Sequence, residues 1–406
     1  MADVLEDSFR QGYLGTEYLD SLIIYIYKVY IRADTGHFDI GIGFSFYMSM
    51  LFFELLQLSV GNRVELSCAP FDKDWVELFA LSQKQAMTGI AFLGIEKLPA
   101  GQKPPKEVLI KWYMATEHIK AENRGLDNKA LMVAKRFLKD GFPSVILKGQ
   151  GIAKLYPKGE YRTPGDIDIW LGGRRRDIVG YVRRYSPNSL LTYHHVEFDA
   201  VKGTEVEVHF TPSWMNSYFT NRRLQRFFDM ERSKFCVRSA SSDYQEIPMP
   251  SLAFNRVFIL VHIYRHFFFE GIGLRQLMDY YYVLCQGFSD EERKETVKVL
   301  KSLGMIRFAG AVMYVLQTVF AMDDNYLLVD ADEKEGRFLL EEIMLSGNFG
   351  QYDERVDYSS YTNPMQRFWH RVWRSSRFIF RYPSEAIWNP IFKIVHFFYW
   401  RRSWSL

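Results

Sequence analysis

Apolar residues recur at helical spacing through residues 18–30, 45–58, 74–87 and 107–138, which predicts four helices. Gly61, Pro70 and the prolines between 99 and 105 separate them. The last one ends in Lys139-Asp140-Gly141, a basic final turn followed by glycine. The period then changes from helical to two. Residues 144–148 form a short apolar run that predicts a strand, and 150–155 suit one or two helical turns, closed by Tyr156-Pro157. A loop containing Gly159, Pro164 and Gly165 leads to a strand over 166–171. A helix over 174–184 and strands over 192–199 and 204–210 follow. Helical spacing returns at Pro250, through 251–269, 274–285, 291–303 and 306–320, and a polar stretch over 347–361 reads as a loop. The order β-α-β-(α)-β-β between two helical regions predicts an α+β fold, with a small mixed sheet carrying helices.

The stretch 145–171, VILKGQGIAKLYPKGEYRTPGDIDIWL, holds the chemistry. Asp166 and Asp168 alternate with Ile167, Ile169 and Leu171, so both carboxylates project from one face of a strand and the apolar residues from the other. Neighbouring like charges are costly, and a divalent cation between them removes that cost. Magnesium, a hard ion that takes oxygen ligands, fits the pair. Gly149 ends an apolar run ahead of a short helix, so the turn there offers free backbone N–H groups to a phosphate, with Lys148 and Lys154 adding charge. On the strand TEVEVHF, Glu205, Glu207 and His209 share one face and Val206 and Val208 the other. Either glutamate can supply a third carboxylate on geometry alone. Arg162 either neutralises phosphate or caps its loop. His194 and His195 read as a structural pair, with an approach of one of them to the cleft as the alternative, and His209 as a packing residue or a support to a ligand ahead of a ligand itself. His262 and His266, four apart, share a helix face. Arg275 and Asp279 on the next helix read as an ion pair, with Arg275 also a candidate for contact with phosphate or base.

The combination of LKGQGIAKLYP, the run from Arg162 through Gly165-Asp166-Ile167-Asp168, and EVHF resembles the DNA polymerase beta-like nucleotidyltransferase superfamily. More narrowly the chain is similar to a bacterial nucleotidyltransferase family common in Bacteroidetes. FFELLQLSVG (52–61), Asp74-Trp75, HIYRHFFFEGIGLRQLMD (262–279) and RYPSEAIWNP (381–390) extend the resemblance over most of the chain. The resemblance implies a polymerase-beta-like core with Gly149 as the phosphate-turn glycine. It implies Asp166 and Asp168 as metal ligands, and favours Glu207 as the third carboxylate, either a ligand or a base for the attacking hydroxyl. The expected cofactor is Mg²⁺ or Mn²⁺, the expected donor an NTP, and the expected reaction nucleotidyl transfer to an acceptor hydroxyl. Lys148, Gly149, Gln150, Arg162 and Arg275 are the expected nucleotide contacts. Gln150 stands where glycine or serine is usual, and the fifteen residues between it and Asp166 make a longer loop than the superfamily pattern. Alternatives are a protein-nucleotidylating regulator, and an inactive nucleotide-binding or scaffold protein in surface-polysaccharide synthesis.

At 406 residues, more than one core is expected. The division reads as a helical region over 1–141, a nucleotidyltransferase core over 142–212, a helical domain over 213–345 that closes the nucleotide cleft, and a loop and tail over 346–406. With 48% hydrophobic and 24% charged residues the chain is globular rather than disordered. Three dispersed cysteines, Cys68, Cys236 and Cys285, argue against a disulfide framework or a structural zinc. The acidic opening MADVLEDSFRQGYLG is no secretory leader, so a cytoplasmic setting is expected. Residues 38–60 are largely apolar, but they contain Asp39 and Glu54 and read as a buried helix. The net charge of +3 is unevenly spread, since from Arg367 onward eight basic residues face only Glu385. Five of the nine tryptophans also lie there, at 369, 373, 388, 400 and 404. That tail is expected to pack its tryptophans inward. Its rival partners are an anionic membrane surface at the inner face and, less favoured, nucleic acid.

Overall fold

The structure, a computed structural model, describes residues 40–239, 244–353, 355 and 376–403. Its helices and strands run in the order α1 (Ile40–Val60), α2 (Asp72–Lys84), α3 (Thr88–Lys97), α4 (Lys106–Lys139), β1 (Ser144–Ile146), α5 (Gln150–Ala153), β2 (Ile167–Leu171) and α6 (Arg175–Tyr185). There follow β3 (His195–Glu197), β4 (Val206–His209), α7 (Tyr218–Ser239), α8 (Leu252–Phe269) and α9 (Leu274–Leu284). The last are α10 (Asp290–Ser302), α11 (Ile306–Phe320), α12 (Glu333–Ser346) and α13 (Pro383–Ser403). The fold is mixed α+β, with a small four-stranded sheet among thirteen helices of the described residues.

The strand order is β1-β2-β4-β3, with the central pair β2/β4 parallel and both outer pairs antiparallel. One face carries Ile167, Ile169, Leu171, Val206 and Val208, packed on Ala130, Val133, Ala134 and Phe137 of α4 and Ile178 and Val182 of α6. Trp170 points from the opposite face into a second core and stacks on Phe254 of α8 at 5.3 Å. Its neighbours on that face, Asp168, Glu207 and His209, are left beside a cleft. The alternation of β2 therefore aims its apolar side chains at α4 and α6 and its polar ones at the site.

The second core is continuous from α1–α3 through α8, α9, α11 and α12. Leu51, Phe52, Leu55, Leu56 and Leu58 of α1 are wholly buried in it. Glu54, the acid within that apolar helix, accepts from Ser67 N at 2.9 Å and pairs with Arg63 at 3.2 Å. No helix of the described residues is long and apolar enough to cross a membrane. The long α4 joins the two cores, with Trp112 in one and Phe137 in the other.

Several expected boundaries move. The helix expected over 74–87 stops at Lys84, Ala86 takes a positive φ of 54°, and α3 starts at Thr88. Helix α3 was not expected because it is buried on every side from Thr88 to Ile95, so no polar face marks its period. Helices α7 and α12 fall in the region expected to be helical over 213–345, although no single helix was expected at either place. Strands shorten to three residues in β3 and four in β4, and Asp166 stands just ahead of β2 rather than within it. The helix expected over 18–30 lies outside the described residues, as do Trp369, Trp373, Trp404, Arg367, Arg371 and Arg374.

The long loop between α5 and β2 is pinned from two sides. Asn123 of α4 donates to the carbonyls of Glu160 and Arg162 at 2.9 and 2.7 Å. The Arg162 guanidinium forms a bidentate pair with Asp279 of α9, Nε to Oδ1 at 2.7 Å and Nη2 to Oδ2 at 2.8 Å. The Tyr156 hydroxyl adds a third hydrogen bond to the same carboxylate at 2.6 Å. The pairing expected between Arg275 and Asp279 is thus made by Arg162, because the loop brings its fork onto the carboxylate in planar register. Removing one member of such a buried pair strands the other charge. Arg162→Met is expected to cost about 3–5 kcal/mol in urea unfolding, and Arg162→Met with Asp279→Leu to recover most of that loss.

Candidate functional site

Backbone pairing assembles the site. Asp168 lies directly across the parallel β2/β4 pair from Glu207, and Trp170 across from His209. On the other side of β4, His195 lies across from His209. The Leu147 N–H donates to the Asp168 carbonyl at 2.9 Å, which sets Lys148 beside the carboxylates. Gly149 then turns the chain at φ 56°, ψ −117°, a conformation that only glycine adopts without strain.

Three carboxylates and their cations interlock here. The Lys148 ammonium stands 3.1 Å from Asp168 Oδ2 and 3.7 Å from Asp166 Oδ2. His209 Nε2 lies 2.9 Å from Asp168 Oδ1 and 3.2 Å from Glu207 Oε2. His195 Nδ1 lies 3.0 Å from the same glutamate oxygen and 3.2 Å from His194 Nε2. Burial opposes the Lys148 charge, but Asp168, Asp166 and Glu207 outweigh it and hold the amine above its ordinary range. Burial likewise opposes His209, yet its hydrogen bonds to Asp168 and Glu207 push it up to about 9. Burial and the Asp166 charge raise Asp168, against the pull of Lys148 and His209. Glu207 is held well below the usual range, because hydrogen bonds from His195 and His209 overcome its burial. His194 is pushed well below its usual value, chiefly by burial.

These residues line a cleft of about 620 Å³, whose lining also takes in Phe258, His262, Arg265 and His266 of α8, Arg275 of α9 and Phe349. Arg265 lies over the Trp214 ring at 3.2 Å and donates to Ser213 Oγ at 3.3 Å. Arg275 donates to the carbonyls of Thr163 and Pro164 at 3.3 and 3.1 Å. Burial lowers both arginines, to about 9 and about 10. Behind Arg265, Glu385 of α13 accepts from Asn216 N at 2.8 Å, and burial pushes its carboxyl up to about 7.

Of the expected site residues, Asp166, Asp168, Glu207, Lys148 and Arg275 line this cleft together. Gly149 and Arg162 line a small recess adjoining it, where the Arg162 guanidinium is already spent on Asp279. Gln150 turns away altogether, its amide donating to Asp127 Oδ1 at 2.6 Å and to Asn123 Oδ1 at 3.3 Å. Lys154 pairs with Glu246 at 2.9 Å. Glu205 is exposed at the rim, whereas Glu207 sits inside. Arg265, Trp214 and Phe349 were missed. Arg265 had a sequence signal, since it lies three after His262 and so neighbours it on the helix surface.

The carboxylate face can hold a cation. Asp168 Oδ2 is buried without a hydrogen bond, and the Lys148 ammonium stands beside it as a positive charge. Asp168, Glu207 and His209 offer ligand atoms within 4.8 Å of one another, and so do His194, His195 and His209. Oxygen donors suit a hard dication, and the cationic cleft walls suit a polyanion. An α+β protein with three acidic residues on one sheet face, opening on a cleft lined by lysine and arginine, is built for phosphate chemistry. A family model for uncharacterised nucleotidyltransferases matches residues 72–321, and the chain belongs to that family. The match takes in every cleft residue named above except Phe349. No curated protein matches the chain.

Because the folded Glu385 carboxyl holds its proton more tightly than the usual value of 4.5, its ionisation costs stability as pH rises from about 4.5 through 7. The loss should approach about 3 kcal/mol. Urea denaturation at pH 4.5, 6 and 8 should show this slope in wild type and not in Glu385→Gln.

Proposed function

We propose that the protein transfers a nucleotidyl group from an NTP to an acceptor hydroxyl, with release of pyrophosphate, and that residues 142–212 form a polymerase-beta-like core. The reading rests above all on one observation, the parallel register that sets Asp168 opposite Glu207. Asp166 is two residues along, in a chain of a nucleotidyltransferase family. Asp166, Asp168 and Glu207 would hold Mg²⁺ or Mn²⁺. When bound, such a cation screens phosphate charge and favours ionisation of the attacking hydroxyl.

The chain's own groups divide the remaining work. Lys148 stands between Asp166 and Asp168 and is placed to follow the phosphates of an NTP. Arg275 and Arg265 face the same cleft and add charge along the triphosphate. Glu207, clamped by His195 and His209, is kept ionised and orients the acceptor hydroxyl. Gln150 takes no part through its side chain, since its amide is engaged by α4. The superfamily position it occupies therefore acts through backbone alone.

Thermal unfolding with each NTP and Mg²⁺ or Mn²⁺ tests the reading. Wild type should be stabilised by at least one NTP, and Asp166→Asn and Asp168→Asn should lose that stabilisation. No stabilisation of wild type by any NTP would sink the proposal. The two glutamates separate in turnover: Glu207→Gln should lower kcat/KM at least about a hundredfold, beyond the ~10–100-fold typical of outer-shell changes. Glu205→Gln, at the rim, should stay within about threefold of wild type, the effect of less than 1 kcal/mol expected at an exposed charge.

A further inference from the structure

His194, His195 and His209 are more than supports for Glu207. Their rings form a triangle, with centroids 4.3, 5.1 and 5.3 Å apart. Glu207 Oε2 lies against two of them, His195 and His209. The contacts run from His194 Nε2 to His195 Nδ1 at 3.2 Å, to Glu207 Oε2 at 3.0 Å, and on to His209 Nε2 at 3.2 Å. The ligand atoms of the three histidines lie within 4.8 Å of one another, a spacing that turns of the rings would close to the about 3.3–3.4 Å between ligands of a tetrahedral zinc.

Hydrogen bonding alone serves this cluster poorly. A ring nitrogen carries at most one proton. Yet His195 Nδ1 faces both Glu207 and His194, and His209 Nε2 faces both Asp168 and Glu207. The His194 ring is also oriented in the way ligand rings are, through the nitrogen that does not bind. Thr192 Oγ1 lies 3.2 Å from His194 Nδ1 and leaves Nε2 for the cluster. Neither Asp166 nor Lys148 belongs to this group.

We propose that His194, His195 and His209, with Glu207 against two of them, form a binding site for a borderline transition-metal dication of the zinc and cobalt class, beside the hard-cation site on Asp166 and Asp168. Imidazole nitrogen selects such metals over magnesium. Glu207 adjoins both sites, so occupancy of the imidazole site turns His195 and His209 away from it and changes the third carboxylate of the other. The site does not depend on nucleotidyl transfer being the activity.

The test uses the full chain, stripped with a chelator and titrated with Co²⁺. One equivalent should bind with the visible d–d bands of a tetrahedral complex, displaced by Zn²⁺ and not by Mg²⁺. His194→Gln and His195→Gln should each weaken binding at least about tenfold. Asp166→Asn should keep the cobalt spectrum while losing stabilisation by NTP and Mg²⁺, which separates this proposal from the preceding one. An absent or octahedral cobalt spectrum in wild type overturns the proposal, and that result needs no variant to fold. Equal affinity in wild type and both histidine variants, or loss of the spectrum in Asp166→Asn, overturns it as well.

Discussion

Lys148 stands between Asp166 and Asp168, and His209 between Asp168 and Glu207, so each carboxylate on this sheet face is balanced by a cation on at least one side. The balance is what permits three acids to sit side by side. Asp168 and His209 are nearly inaccessible to water, and an unmatched charge there would cost several kcal/mol. The alternating cations also keep the face convertible. In the proposed metal-bound state the ammonium and the imidazolium would be the charges displaced, while the strand register keeps Asp168 opposite Glu207.

That register depends on a frame reaching far from the sheet. Helix α4 packs the apolar side of the strands and, one end further along, enters the large helical core. The loop ahead of β2 carries Asp166, and its length would leave it loose were it not tied to α4 by Asn123 and to α9 by the Arg162–Asp279 pair. The same pair holds α9, and with it Arg275, against the cleft. A buried ion pair is seldom the most stable choice at such a place, but its fixed fork geometry locks one loop conformation.

Much of this was legible from local pattern. The alternation of Ile167 to Leu171 and of Val206 to His209 separated the apolar face from the polar one, since side chains of a strand must alternate. The glycine after β1 and the change of period near residue 141 marked where the sheet begins. Less was legible where burial erased the period, as in α3, or where a role depends on a distant partner. Arg162 and Gln150 both read as nucleotide contacts because they flank the motif. Asp279 and Asp127, 117 and 23 residues away, claim their side chains instead.

The sequence by itself determined the element types, the faces of the strands and the identity of the acids, because these follow from spacing along a few residues. Tertiary structure alone decided which acids meet. The parallel pairing of β2 with β4 chose Glu207 rather than Glu205 as the neighbour of Asp168, and the β3/β4 pairing brought His195 and His209 onto the same glutamate oxygen. Register between strands is set by the whole buried face acting together, and no window of sequence carries that information.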